Sequence, residues 1–386
     1  MAELVGTENS VRIRLFLQYD SFIDFVEVDG LAVAVQTVAC GLDRSDQQAL
    51  PLDRAYAPAG AQGEGVDVFV LDTGIRTTHS EFEGRAFHFW SAYSNIADVS
   101  GHGTHCAGVI AGKTYGVAKK ARVWSVKIIG DRGSGSWSGI LNGMDRVLQN
   151  CTSPGGRRCV ASMSIGGSKS ASLNAGLASM RRAGIITAVA AGNENRDACN
   201  SSPASEPTAI TVGATTSADA RASYSNYGSC VDIFAPGSGI LSSVASSDTA
   251  TATYSGTSMA APHVAGAVAL IYSNDLTATP DAVEAALLSA ATTGALTGLT
   301  ASSPNKLLFV GNLRTPPPTN AGETLPPSTS RPTSEPTTRV PSVLPTARPL
   351  PTARPSRGPI VATSRPTRVP VVPTAPPTRR QREQGR

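Results

Sequence analysis

Val66-Asp67-Val68-Phe69-Val70-Leu71, followed at once by Asp72-Thr73-Gly74, is the stretch that decides the fold. Its valines, phenylalanine and leucine describe a strand buried on both faces, as in a parallel sheet. Val123–Ile129 is the next strand, Val160–Gly167 a further one, and Ile185–Ala191 another buried strand. A helix opens within Gly101–Gly112, and another runs to Asn150 with Ser138 placed to cap it. Thr279 and Pro280 mark a further helix start, and 305–310 closes the folded region. Strands and helices in this alternation predict an α/β fold, doubly wound, with a mainly parallel sheet. Ligands of such sheets sit just outside the carboxyl ends of the strands, where Asp72 stands. A turn aspartate bonding its own backbone is the plainer alternative.

A second stretch, Tyr254-Ser255-Gly256-Thr257-Ser258-Met259-Ala260-Ala261-Pro262-His263-Val264-Ala265-Gly266, leads into an apolar run ending at Tyr272. The run reads as a buried helix, with Pro262 tolerated in its first turn. Ser258 then sits at a helix N-terminus, where the backbone dipole favours negative charge. Alone, such a serine is a cap. With Asp72 and with His102 of Gly101-His102-Gly103-Thr104-His105, it completes an Asp, His, Ser set in that chain order.

Asp72-Thr73-Gly74, His102-Gly103-Thr104-His105, Ala191-Gly192-Asn193 and Gly256-Thr257-Ser258-Met259-Ala260 together resemble the subtilisin-like serine proteases, and within them the proteinase K and aqualysin branch. The likeness runs from about Gly41 to about Gly311. It implies a subtilisin-like three-layer fold and a serine endopeptidase of broad specificity, preferring an apolar or aromatic residue before the cut. Ser258 is then the nucleophile, His102 its base, and Asp72 the group that orients His102, with His105 structural. Asn193, at the end of a buried strand, would donate to the oxyanion. Gly133-Ser134-Gly135 and Ser164-Ile165-Gly166 would wall the substrate groove, the latter pairing with extended peptide by β-augmentation. The family motif also implies a free, buried Cys106 and sensitivity to mercurials.

The same resemblance implies structural calcium. Asp43, Asp46 and Gln47 form one oxygen-bearing set; the carbonyls of Pro207 and Ala209 with Asp232 form another. Without the resemblance these are loop charges, caps and a buried aspartate seeking partners. Cys199 and Cys230 match a family disulfide, worth about 3–4 kcal/mol in the loop-entropy model, and Ser202–Pro203 matches a cis bond. Cys151 and Cys159 bracket a seven-residue loop that a local disulfide closes readily, an inference from the loop itself.

Composition bounds the rest. The chain has 386 residues, of which 40% are hydrophobic, enough for one large domain plus extensions. Its net charge of +4 is uneven: the 12 arginines and three glutamates of 314–386 carry +9, leaving −5 elsewhere. A mildly acidic folded region gives no reason to expect a nucleic-acid partner. Six cysteines without metal-type spacing suit an oxidising compartment. No apolar run approaches membrane-spanning length. Glu3 and Glu8 precede any apolar run, so the start does not read as a signal peptide, and an extracellular protein would need a leader upstream.

The organisation expected is therefore a truncated, inhibitor-like propeptide remnant at 1–35, cleaved between Gly30 and Cys40, a peptidase domain at 36–313, and a disordered tail at 314–386. The tail holds 18 of the 27 prolines and repeats PTARP at 345–349 and 351–355. The expected partners are protein and peptide substrates and the chain's own propeptide, around a monomer with no organic cofactor. Two alternatives stand beside this reading: a catalytically inactive binding protein on the same scaffold, and a tail that is itself the functional part.

Overall fold

The computed structural model describes residues 39–58, 60–300 and 302–313. The expected remnant at 1–35 and the tail at 314–386 lie outside the described residues. In chain order the elements are α1 (Cys40–Ser45), β1 (Val66–Asp72), β2 (Ala86–Ser91), α2 (His102–Ala111), β3 (Arg122–Lys127), α3 (Trp137–Cys151), β4 (Arg158–Met163), β5 (Gly167–Ser168), α4 (Ala171–Arg182) and β6 (Ile186–Ala190). They continue with β7 (Ser201–Ser202), β8 (Ile210–Thr215), β9 (Ile233–Pro236), β10 (Ile240–Ser243), β11 (Thr251–Tyr254), α5 (Thr257–Asn274), α6 (Pro280–Ala290), β12 (Thr292–Thr293) and β13 (Lys306–Leu307).

Nine strands form one sheet in the order β2-β3-β1-β4-β6-β8-β9-β13-β12. All its pairings are parallel except β12 with β13. From β1 the chain goes to the edge strand β2, returns to β3 between the two, then crosses to β4 on the other side of β1 and winds outward through β6, β8 and β9. The reversal between β1 and β4 is the topological switch point, where the strand ends open a crevice. β1 is buried along its whole length, as its composition requires.

Period-two geometry divides β1 between two cores. Val66, Val68 and Val70 pack with the buried residues of α2, α5 and α6. Phe69 and Leu71 pack with those of α3 and α4. The result is three layers, and it fixes a direction: Asp72 continues the even-numbered face and points toward α2 and α5. α5 is buried from Met259 to Tyr272 and packs across the sheet. A Cβ at Gly266 would lie 2.7 Å from Val117 Cβ, so only glycine lets this helix approach so closely.

Some local expectations need correction. Pro262 is the sixth residue of α5, not part of its first turn, because the helix begins at Thr257. The cap of α3 is Ser136, whose Oγ accepts the Gly139 N–H; Ser138 falls inside the helix. Strand β3 stops at Lys127 and β4 at Met163, so Ile128–Ile129 and Ser164–Gly167 leave the runs predicted for them. Thr279 does cap α6, accepting the Ala282 N–H ahead of Pro280. Disulfides join Cys151 to Cys159 and Cys199 to Cys230, and Ser202–Pro203 is cis. At the N-terminal side, the buried Arg44 grips both oxygens of Asp219, at 2.8 and 3.0 Å, and ties α1 to the body of the domain. Among the described residues no helix is long and apolar enough to cross a membrane.

Candidate active site

Asp72 ends β1 and His102 begins α2, and the layer geometry brings them together. His102 Nδ1 donates to Asp72 Oδ1 at 2.7 Å. The Thr73 N–H donates to the same oxygen at 2.7 Å, while Oδ2 is buried with no hydrogen-bond partner among the described residues. The carboxylate is almost fully buried and His102 keeps about 30% exposure. A charge so poorly compensated acts strongly on its neighbour, and Asp72 raises the His102 pKa far above that of an ordinary imidazole, against the opposing effect of burial. Two other buried histidines, His105 and His263, behave oppositely. Burial lowers both His105 and His263 to about 4, so both are neutral at pH 7. His105 Nε2 lies 3.0 Å from the Ile240 carbonyl and its ring stacks on Tyr254, a structural role.

Ser258 is the second residue of α5, with Gly256 as cap. Its hydroxyl donates to the Ser164 carbonyl at 3.3 Å and makes no hydrogen bond to His102 in this arrangement. Apo catalytic bonds are commonly loose in this way. Proline at 262 has no N–H, so the Ser258 carbonyl four residues earlier loses its helical partner. Two side chains take that place: Ser164 Oγ donates at 2.8 Å and Cys106 Sγ at 3.4 Å. Cys106 Sγ also lies 4.0 Å from His102 Nδ1. The thiol therefore sits between the backbone of Ser258 and the imidazole. Cys106 is buried and free, and burial raises its pKa.

Asn193 follows β6 and is exposed, not buried as a strand-end residue would be. Its Oδ1 accepts the Thr257 N–H at 2.8 Å and the Thr257 hydroxyl at 3.0 Å. These bonds tie the amide oxygen to the first residue of α5; a Cβ on Gly256 would lie 3.4 Å from Asn193 Nδ2 and 3.6 Å from the Ser258 nitrogen, so both nitrogens border the same space. Ser164 reaches Ser258 directly, so Ser164-Ile165-Gly166 runs alongside the hydroxyl as it leaves β4. Gly133, Ser134 and Gly135 are exposed in the turn after β3, where Tyr93 Oη donates to the Ser134 carbonyl at 3.1 Å.

Several supporting residues escaped the sequence reading. Asp98, nearly buried, accepts from the Thr73 and Thr104 hydroxyls and from the N–H groups of Gly101 and Thr104. Thr73 Oγ1 in turn accepts the Gly103 N–H, which locks the turn after Asp72 to the start of α2. Lys127 is about 1% exposed and donates to the Thr73 carbonyl and to Asp131 in the groove turn. An acid a few residues before a helix start was a capping signal for Asp98; nothing local marks Lys127.

The proposed cation sites can be tested on their donors. Around α1, Asp43 Oδ1 and Oδ2 accept the Arg54 N–H at 3.2 and 3.1 Å, and Asp43 also accepts from Gln47 Nε2. Asp53, not foreseen, accepts from Gln47 Nε2 at 2.8 Å. Asp46 Oδ2 accepts the Ala57 N–H, while Asp46 Oδ1 is buried without a hydrogen-bond partner among the described residues. Burial, and the charge of Asp53, raise the pKa values of Asp43 and Asp46. An orphaned carboxylate oxygen among crowded acids fits a hard cation. At the second set, Asp232 at the head of β9 accepts the Thr211 N–H at 2.8 Å; Pro207 and Ala209 precede β8, the strand beside it.

Comparison with known proteins identifies the family. Residues 63–309 match the model of the subtilase family, and the chain belongs to that family. It is 47% identical over 305 residues to alkaline serine exoprotease A of Vibrio alginolyticus, covering 76% of this chain and 56% of that protein. It is 48% identical over 299 residues to the extracellular serine proteinase of Thermus sp. (strain Rt41A), covering 76% and 72%. The chain thus spans little more than half the length of the Vibrio relative. Among solved structures, a cold-adapted subtilisin-like serine proteinase superimposes with a TM-score of 0.67 at 44% identity, over 71% of this chain and 98% of the other. The α/β fold is subtilisin-like and the family is one of serine proteases. No finding supports the catalytically inactive alternative.

The position of Cys106 generates a test. An organomercurial should inactivate the parent protein, because a metal on Sγ crowds both His102 and the Ser258 backbone. Cys106→Ser should resist it and retain activity within a few-fold. Cys40, the exposed free cysteine, should not matter; resistance in Cys40→Ser instead, followed by hydrolysis of a peptide nitroanilide, would refute this account.

Proposed function

We propose that this protein is a secreted serine endopeptidase acting through Asp72, His102 and Ser258. The observation that carries the reading is the 2.7 Å Asp72–His102 hydrogen bond, set on one face of the sheet beside the N-terminus of α5. Ser258 Oγ attacks the scissile carbonyl carbon, His102 Nε2 takes its proton, and the Nδ1–H bond to Asp72 stabilises the imidazolium. The carbonyl oxygen becomes an oxyanion held by Asn193 Nδ2 and the Ser258 N–H, at the positive end of α5. His102 returns the proton to the leaving amine, and water hydrolyses the acyl-enzyme by the same steps. Rotation of Ser258 away from the Ser164 carbonyl precedes attack.

Substrate backbone pairs with Ser164–Gly166 on one side and Gly133–Gly135 on the other, which gives broad specificity with an apolar or aromatic residue before the cut. Calcium is structural: Asp43, Asp46 and Gln47, with Asp53, would hold one ion, and Pro207, Ala209 and Asp232 another. A bound cation offsets the mutual repulsion of the acids near α1. The protein acts as a monomer, and its own propeptide is a further partner.

A fluorophosphonate should add one label per parent molecule and none to Ser258→Ala, read by intact mass; labelling of the variant would reject Ser258 as nucleophile.

The pH dependence follows from the His102 shift. Only neutral imidazole can take the Ser258 proton, and Asp72 favours the cation, so kcat/KM should be low in acid and rise with pH. The midpoint of that acidic limb should lie above the ordinary 6.5 of histidine. Asp72→Asn should move it downward and reduce kcat by about 10⁴. An acidic midpoint unchanged by this substitution would contradict the coupling.

Chelation should lower the melting temperature of the parent. Asp46→Asn should shrink that difference, because it removes the carboxylate whose oxygen lacks a partner. Equal melting temperatures with calcium and with chelator would dismiss structural calcium.

A further inference from the structure

The segment 191–196, which carries Asn193, has no regular structure to hold it, yet its amide must be aimed before the transition state forms. We infer that Asn226 is the positioning residue of this oxyanion donor, an inference that rests on the proposed role of Asn193.

Asn226 is fully buried and lies beyond β8, 33 residues along the chain. Five hydrogen bonds run between it and this one segment. Its N–H donates to the Gly192 carbonyl at 2.9 Å. Its Nδ2 donates to the Ala191 carbonyl and to Glu194 Oε2, both at 2.8 Å. Its Oδ1 accepts the N–H groups of Glu194 at 3.2 Å and Arg196 at 3.0 Å. The backbone is thus held on both sides of Asn193, while the Asn193 side chain is anchored only through its own Oδ1. Gly192 makes room for the arrangement: its φ is 103°, and a Cβ there would lie 2.3 Å from Asn226 Nδ2. The carboxylate of Glu194, next in sequence to the oxyanion donor, is also folded back onto Asn226. A negative charge beside a developing oxyanion opposes catalysis, so holding it away serves the same end.

This arrangement acts through Asn193 and does not touch substrate, which makes its effect separable from general stability. Asn226→Asp preserves the shape and the Oδ1 acceptor, removes both side-chain donations and sets a second carboxylate against Glu194. With active enzyme counted by exhaustive fluorophosphonate labelling, kcat on a peptide nitroanilide should fall about ten- to a hundred-fold, with KM within about two-fold, because only transition-state binding is lost. Glu194→Gln added to Asn226→Asp should recover part of that loss, since its amide restores the 194–226 bond and removes the carboxylate pair but leaves the Ala191 carbonyl without its donor. In an Asn193→Ala background, Asn226→Asp should cost less than about three-fold, because the group it positions is gone. Asn226→Ser is the second variant, expected to follow the same pattern should the carboxylate prevent folding.

An equal loss in both backgrounds, or a lower melting temperature with unchanged kcat, would overturn the positioning role and leave Asn226 merely structural. If instead Asn193→Ala alone left kcat intact, the oxyanion reading itself would fail, and that outcome is distinct from either result at Asn226.

Discussion

The hydrogen bond between the Asp72 carboxylate and the His102 imidazole joins two layers of the molecule. Asp72 belongs to the sheet, His102 to the helices above it. The 2.7 Å separation exists only because β1 alternates strictly, so that a residue two beyond Val70 faces α2. It also needs the turn after β1 and the start of α2 to be mutually fixed. Thr73, Asp98 and Thr104 do this with a closed set of hydrogen bonds. A slip of one residue in β1 would turn Asp72 into the opposite core, where α3 and α4 pack.

A second constraint works through an absence. Pro262 lacks the N–H that would bond the Ser258 carbonyl, and the freed oxygen collects Ser164 and Cys106. A helix-breaking residue inside a largely apolar helix thereby becomes a junction. It links α5 to the end of β4 and to α2, the neighbours that peptide and proton transfer each require. The strain of an interrupted helix is tolerable because α5 is enclosed by the sheet and by α2 over most of its length.

Much of the site was legible in the chain because its parts carry local chemical marks. Asp72 follows a strand of unmistakable composition; His102 and Ser258 open helices; Asn193 ends a buried run. Where reading by local rules went astray, longer-range geometry had decided. Pro262 was placed in the first turn because proline is ordinarily tolerated there, yet tertiary packing extended the helix back to Thr257. Ser138 has the character of a cap, but Ser136 stands where the chain enters α3. Local reading puts Asn193 at a buried strand end, although β6 stops at Ala190, three residues before it, and the chain reaches solvent. Asp53 entered the acidic cluster because the loop after α1 folds back on it, a turn no periodicity announces.

The sequence by itself determined the kind of element each segment forms and the order in which the reactive residues occur along it. Those properties depend on side-chain shape, burial and backbone freedom over a few residues. Only the tertiary structure decided how reactive groups far apart in the chain meet at the switch between β1 and β4, and which side chains support them. Lys127 and Asn226 bear no local mark of their roles, and Asp98 bears only that of a cap. Each is a polar residue made useful by burial against a particular backbone segment, and burial is a property of the assembled layers, not of the neighbouring sequence.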